Sequence, residues 1–249
     1  MWKSGRVSVI LICYNYERSI RQAIREFGLP EVDEIIVTDN NSTDGSVAEI
    51  RDAAEEDPRV RMVKVDRQGY GYSVQAGLAA ATGDFLIHAP PNLTFRGEDI
   101  YKLLLYGEEF DGVFGTRTST TMIWDGANMG PFLKYGNWVT AKMMEVLLGR
   151  PSLTDVGCGM RLIRRSLYER IRVFFTVGGS HFSPEMMFHM IRHGKVVEIP
   201  LHFRPRIGRP GLTSSTWTAF VIGVQMIVHI WYLWFRYVIF RMRAPSIGR

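Results

Sequence analysis

Two short polar runs follow directly on apolar ones, and their side chains suit ligand recognition better than packing. Tyr14-Asn15-Tyr16-Glu17 follows Val7–Cys13, and Asp39-Asn40-Asn41-Ser42-Thr43-Asp44-Gly45-Ser46 follows Glu34–Thr38. In open parallel α/β sheets, ligands bind beyond the carboxyl ends of the strands. A carboxylate there does not cradle phosphate, but it accepts hydrogen bonds from a base N–H or from ribose hydroxyls, which is the chemistry open to Asp39. Turn and cap chemistry accounts for Ser42–Ser46, with Asp44 capping the next helix. It does not account for Asp39 at a strand tip. Glu185, His189 and His193 stand at i, i+4 and i+8 and share one helix face. A plain helix surface is the ordinary reading of that triplet, and a metal site is the alternative. Arg67-Gln68-Gly69-Tyr70-Gly71 is glycine-rich but lacks the Gly-x-Gly-x-x-Gly pattern after a first strand, which disfavours a dinucleotide-binding dehydrogenase. The chain has no Gly-x-Ser-x-Gly elbow and no P-loop.

These residues need a scaffold. Val7–Cys13 (VSVILIC) and Glu34–Thr38 (EIIVT) are β-branched apolar runs that fit central strands buried on both faces. Val60–Val65, Asp84–His88 and Gly112–Phe114 predict three more strands. Helical spacing covers Glu17–Phe27, the stretch from Asp44 through Arg51, Tyr72–Ala81 and Glu98–Tyr106. This alternation predicts a doubly wound sheet. The second half predicts helices over Asn137–Leu148, Ser166–Ile171 and Ser183–His193, then a strand over Val196–Phe203.

The chain has 249 residues, 46% hydrophobic and 22% charged, with a net charge of +5 and two cysteines. That excludes a disordered chain and a disulfide scaffold. No basic stripe interleaved with exposed aromatics supports a nucleic-acid partner. No apolar stretch of signal-peptide length precedes Val7, so a cytoplasmic location is expected. From Pro210 to Phe235 there is no Asp, Glu, Lys or Arg. A helix over Trp217–Phe235 reaches about 28 Å at 1.5 Å per residue, close to the ~30 Å hydrocarbon core of a bilayer. Trp217, Trp231, Tyr232, Trp234 and Tyr237 suit interface anchors. Membrane association is favoured over a buried core helix. Whether the segment spans, lies in the interface or turns back is left open, because arginines flank it on both sides. The expected division is a sugar-handling domain over 1–209 and a membrane-associated segment with a basic tail over 210–249.

VSVILICYNYE, EIIVTDNNSTDGS and GYGYSVQAGLAAATGDFLI, in that order, resemble the nucleotide-binding half of family-2 glycosyltransferases with the GT-A fold. Gly115-Thr116-Arg117, the run Thr154–Arg165 (TDVGCGMRLIRR), Pro184-Glu185-Met186 and Val197-Glu198-Ile199-Pro200 are similar to the polyprenyl-phosphate branch, which includes dolichol-phosphate mannosyltransferase. The resemblance covers roughly residues 6–215. It implies a mostly parallel Rossmann-like α/β sheet flanked by helices. It also implies transfer, with inversion, of a sugar from a nucleotide donor to a polyprenyl or dolichyl phosphate at the cytoplasmic membrane face. It puts Tyr14, Asn15, Glu17, Asp39, Asn41, Gly69, Asn92 and Arg117 at the donor, Asp155 near the reacting centre, and Glu185 and Arg209 on the acceptor side. An acceptor phosphate needs positioning more than a base, and a leaving nucleoside diphosphate needs positive charge. Arg117, Arg161, Arg206 and Arg209 are the candidates, with Arg161 and Arg206 facing phosphate.

The family's Asp-x-Asp, which holds a divalent metal on the diphosphate, falls here on Pro90 and Asn92 of His88-Ala89-Pro90-Pro91-Asn92. Three outcomes follow. Arginines substitute for the ion; a metal such as Mg or Mn binds through Asn92, His88 and diphosphate oxygens; or the chain has kept a binding role without catalysis, as a nucleotide-sugar-binding or scaffold protein. Cys13 and Cys158 read as buried small residues, with a lining role open for Cys158 beside Asp155. The expected partners are a nucleotide sugar, a polyprenyl phosphate and a membrane, without nucleic acid. A homo-oligomer is left open.

Overall fold

The computed structural model describes residues 2–208 and 215–242. In chain order the elements are β1 (Val7–Cys13), α1 (Ile20–Phe27), β2 (Glu34–Asp39), α2 (Ser46–Glu56), β3 (Val60–Lys64), α3 (Tyr70–Ala80), β4 (Phe85–Ala89), α4 (Asp99–Gly107) and β5 (Gly112–Thr116). Then come α5 (Pro131–Leu148), β6 (Arg161–Arg164), α6 (Arg165–Ile171), α7 (Phe182–His193), β7 (Val196–Pro200) and α8 (Thr216–Trp234), which runs into a π-helical turn, Phe235–Ile239.

One seven-stranded sheet in the order β3-β2-β1-β4-β6-β5-β7 carries everything. Its strands are parallel except β6, which is antiparallel to both β4 and β5. The apolar runs are continuous because both faces are covered. Val9, Leu11, Ile35, Val37 and Ile87 face a core closed by α1, α2 and α4. Ile10, Ile36, Leu86 and Ile163 face a second core closed by α3, α5, α6, α7 and α8. Pro131 opens α5, where its missing N–H costs nothing, and Gly149 ends it in the left-handed conformation at φ 71°. Pro200 ends β7 three residues before the expected Phe203, since it has no N–H to extend the ladder.

The apolar helix α8 lies along the domain instead of projecting from it. Ala219 near its start and Ile230, Leu233 and Tyr237 further on are buried, and the Trp234 indole N–H donates to the Leu147 carbonyl at 2.9 Å. The opposite side is bare: Trp217, Phe220, Val224, Val228, Tyr232 and Phe235 are exposed. Its neighbour α5 also leaves Phe132, Tyr135, Trp138 and Val146 exposed. The stretch Thr216–Ile239 is long and apolar enough to cross a membrane.

Candidate functional site

The loops after β1 and β2 are clipped together at the carboxyl edge of the sheet. Asn15 and Asn41 both hold left-handed backbone, φ 60° and 63°, a conformation asparagine tolerates better than most residues. The Ser42 hydroxyl accepts the Asn15 N–H at 3.1 Å, and the Asn15 side chain accepts the Thr43 N–H at 2.7 Å. The Ser46 hydroxyl accepts the Tyr16 N–H at 2.8 Å, and the Glu17 carboxylate accepts the Gly45 N–H at 2.9 Å. Asp44 accepts the Ser46 N–H at 3.0 Å, but the N-cap position of α2 is Gly45, so Asp44 braces the turn before the helix instead of capping it as expected. Burial pushes the Asp44 carboxyl up, but its hydrogen bonds from Ser46 and Glu17 outweigh this and leave it below the ordinary range. Asn15, Glu17 and Asn41, expected at the donor, thus shape the loop pair. Asp39 stands inside it: one carboxylate oxygen accepts the Ser42 N–H at 3.1 Å, and among the described residues nothing hydrogen-bonds the other. Tyr14 is exposed beside it.

The third wall is the start of α3. The Asn40 amide donates to the Arg67 carbonyl at 2.9 Å and accepts the Gly69 N–H at 2.7 Å. Gly69 has φ 152°, and a Cβ there would collide with the Gly178 carbonyl oxygen. The glycine is therefore required by the close approach of the 177–179 loop, whatever else passes over it.

Across the same edge, the antiparallel run of β6 brings residues 154–160 to the carboxyl ends of β4 and β5. Asp155 is buried, and its carboxylate receives Nε and Nη2 of Arg117 at 2.8 Å each, the Arg117 N–H at 3.0 Å and the Gly157 N–H at 3.0 Å. Burial pulls the Arg117 guanidinium down, and the Asp155 charge more than reverses this. Glu198 of β7 supports the node from behind, accepting the Thr154 and Asp155 N–H groups at 2.7 and 3.0 Å. Asp39 ends β2, and Asp155 is held beyond β6 by Arg117 after β5 and Glu198 of β7, so both belong to the same sheet with β1, β4 and β6 between them.

Several sequence expectations change here. Arg161 does not face phosphate. It is 2% exposed, and its guanidinium donates to the Ser183 carbonyl at 2.8 Å, the Val156 carbonyl at 2.6 Å and the Ser183 hydroxyl at 2.6 Å. It ties the 155–160 run to the start of α7, so it positions Asp155 from below. Arg117 is paired with Asp155 instead of being presented to a diphosphate. Glu185 is fully buried and accepts the Thr176 and Val177 N–H groups at 3.1 Å each, so its carboxylate fixes the 176–177 loop and does not reach out to an acceptor. His189 and His193 of the same face stack on Phe174 at centroid distances of 4.9 and 5.0 Å. Arg209 lies outside the described residues.

The turn after β4 does not fit a divalent metal. The Pro90 side chain has no donor atom. The Asn92 oxygen is taken by Thr94, N–H at 3.1 Å and hydroxyl at 2.6 Å. His88 is 2% exposed, in a buried group with Tyr70 and Arg161. Burial, followed by the Arg161 charge, pushes its imidazole down to about 3, and burial pushes the Tyr70 hydroxyl up to about 12. A guanidinium near His88 opposes a cation on that ring. Among the described residues no group of three His, Cys, Asp or Glu could hold a metal ion. Arg206 arrives at this turn from the other side: the Arg204 N–H donates to the Thr94 carbonyl at 2.8 Å and the Ile207 N–H to the Asn92 carbonyl at 3.1 Å. Its guanidinium lies beside the Tyr16 hydroxyl, which burial pushes up and Arg206 pulls back.

The sequence matches the glycosyl transferase family 2 profile over residues 8–172. The chain belongs to glycosyl transferase family 2. The family-2 chain is 27% identical over 209 residues to an undecaprenyl-phosphate 4-deoxy-4-formamido-L-arabinose transferase of Enterobacter, covering 81% of this chain and 60% of that protein. It is 30% identical over 175 residues to the Proteus mirabilis transferase of the same name, covering 67% of this chain and 51% of that one. With glycosyltransferase AglD of Haloferax volcanii it shares 28% identity, covering 80% of this chain and 33% of that protein. This chain therefore spans about a third to three-fifths of the relatives' lengths. In structure it is similar to glucosyl-3-phosphoglycerate synthase of Mycobacterium tuberculosis, solved with Mn2+, UDP and glucosyl-3-phosphoglycerate. The TM-score is 0.68 with 17% identity, over 93% of this chain and 80% of that one. The shared architecture is the GT-A fold that the family resemblance implies.

Glu198, Tyr16 and Ser183 brace this edge of the sheet, although the sequence reading gave none of them a role of its own. Glu198 had one signal, its place inside an apolar strand, where an unpaired carboxylate is costly. Ser183 had none, because its partner Arg161 comes 22 residues earlier.

Proposed function

We propose that this chain transfers a sugar from a nucleotide-sugar donor to a polyprenyl phosphate at a membrane surface. What supports the reading is that Asp39 and the Asp155–Arg117 node belong to the carboxyl edge of one sheet, Asp39 keeping one carboxylate oxygen without a hydrogen-bond partner among the described residues. The remaining oxygen of Asp39 accepts hydrogen bonds from the nucleoside, and Tyr14 covers it. The node marks the reacting end. There an acceptor phosphate oxygen attacks the anomeric carbon, the new C–O bond forms as the bond to the diphosphate breaks, and the nucleoside diphosphate leaves with inversion. The acceptor phosphate is already ionised, so the site's work is alignment and charge stabilisation.

The apolar helix supports the acceptor class. Because α8 is anchored on the domain at Ala219, Ile230 and Leu233, it suits lying in the bilayer interface better than crossing it. The exposed side chains of α5 enlarge the apolar surface. We assign residues 1–209 to the transferase domain, the rest to the membrane-facing segment, and the site to the cytoplasmic side.

Purified chain in vesicles containing undecaprenyl phosphate, given a panel of labelled nucleotide sugars with and without EDTA, should form labelled lipid with at least one donor. Asp39→Ala should abolish it. Labelled lipid from no donor refutes catalysis. Calorimetry then separates the second reading, motivated by Pro90 and Asn92: a binding protein takes up nucleotide sugar without turnover.

A further inference from the structure

We infer that Arg206 supplies the positive charge on the donor diphosphate that a divalent metal supplies in metal-dependent transferases. The inference rests on the donor reading above and concerns how the diphosphate is held. A leaving diphosphate gains negative charge as the sugar departs, and some cation must meet it. The turn after β4 offers no metal cradle. Pro90 is without a donor atom, the Asn92 oxygen is occupied by Thr94, and His88 is buried near a guanidinium.

The backbone brings one cation to that same turn. The 204–207 segment is hydrogen-bonded to residues 92–94 at both ends of its contact, Arg204 to Thr94 and Ile207 to Asn92. Arg206 lies between those two anchors. Its guanidinium reaches the Tyr16 hydroxyl in the loop after β1, the loop that is clipped to the Asp39 loop. It thus bridges the metal-binding position and the donor loops.

The other arginines of the region are committed elsewhere. Arg117 is paired with Asp155 at 2.8 Å, Arg161 is spent on the Val156 and Ser183 carbonyls, and Arg204 is held by Glu26 at 2.6 Å. Among the described residues no carboxylate lies within ion-pair distance of Arg206, and its side chain is partly open to solvent. A guanidinium stays charged at any working pH, and its fork matches two phosphate oxygens. The backbone on either side of it is anchored to residues 92–94, which keeps its approach to that turn short.

The test is titration calorimetry on the full chain in detergent with UDP, GDP and the corresponding monophosphates, in excess EDTA and then in Mn2+ or Mg2+. The native chain should bind one diphosphate in EDTA, and metal should change the Kd by less than about threefold. Arg206→Met should weaken that diphosphate by roughly 10- to 100-fold, the range of a charge-assisted hydrogen bond. It should leave the monophosphate nearly unchanged. Arg206→Lys should fall between, keeping charge without the fork. Unchanged thermal melting of both variants excludes a folding defect. A native chain that binds diphosphate only with metal, or an Arg206→Met chain that binds it normally, overturns this inference and leaves the donor reading standing. A native chain that binds no nucleoside diphosphate under any condition overturns both.

Discussion

Removing the charge of Asp155 tests whether the Asp155–Arg117 node is held as one unit. The carboxylate receives four donors, two from the guanidinium at 2.8 Å and two backbone N–H groups at 3.0 Å. Asp155→Asn keeps the shape but leaves one acceptor oxygen, turns an NH2 toward donors, and strands a buried guanidinium without its counter-charge. Breaking a buried pair from one side costs about 3–5 kcal/mol, a large part of the 5–15 kcal/mol typical of a folded domain. Arg117→Met strands a carboxylate that still has two backbone donors and should cost less, about 2–3 kcal/mol. In the double variant neither charge remains, so the losses should not add, and the coupling should reach about 1.5–3 kcal/mol. Urea unfolding of all four chains in detergent, with m-values compared, measures this directly. Additive losses, or a cost under about 1 kcal/mol for Asp155→Asn, would refute the reasoning. A stable but inactive Asp155→Asn chain would mean that the carboxylate acts on substrate directly and not through Arg117.

Burial holds His88 and His189 near a pKa of 3 in the folded chain, against an ordinary 6.5. Below pH 6.5 the unfolded chain binds protons that the folded one refuses. Stability should be full above that pH and fall toward pH 3 by about 1.4 kcal/mol per unit for each histidine. Urea midpoints of His189→Phe against pH should lose one histidine's share of that slope, and an unchanged slope disproves the assignment. Burial pushes the thiols of Cys13 and Cys158 up to about 11 and 12. Neither should react with iodoacetamide at pH 8 in the native chain, both should react in urea, and rapid native labelling of either contradicts its burial. Replacing exposed Trp217, Phe220 and Val228 with serine should lower liposome binding roughly tenfold or more with little change in the melting temperature, because these side chains lie largely in solvent and Trp217 and Phe220 stack mainly on each other. Undiminished flotation with liposomes rules out that face.

The strands and the helices of the first half were legible because each apolar run is short, β-branched and bounded by turn residues. Val7–Cys13 is recovered to the residue, and Glu34–Thr38 to within one. Asp39 stood out for the same reason, as a carboxylate closing an apolar run, and in the fold one of its oxygens accepts the Ser42 N–H. Arg161–Arg164 was not read as a strand, since RLIR is four residues with charges at both ends and draws its partners from β4 and β5, far off in sequence. That omission hid the surroundings of Arg161. Arg161 reads as a solvent-facing cation only if its surroundings are unknown. In the fold it replaces an apolar core residue, balanced by carbonyls instead of by a carboxylate. Glu185 misled in the same way, because a helical carboxylate looks outward until a loop of bare N–H groups closes over it. The start of α5 at Pro131 instead of Asn137 was missed because Phe132 and Tyr135 face outward and break the amphipathic pattern.

The reversed strand β6 also restricts how the two halves can move. It is hydrogen-bonded on one side to β4 and on the other to β5, so no flexible seam separates Asp39 from the Asp155–Arg117 node. Opening the domain like a hinge would require tearing a sheet through its middle. Ligand entry and exit must then be managed by the rim, above all the 204–208 strap and the 177–179 loop over α3, while the floor keeps Asp39 and Asp155 at a constant separation through the whole cycle.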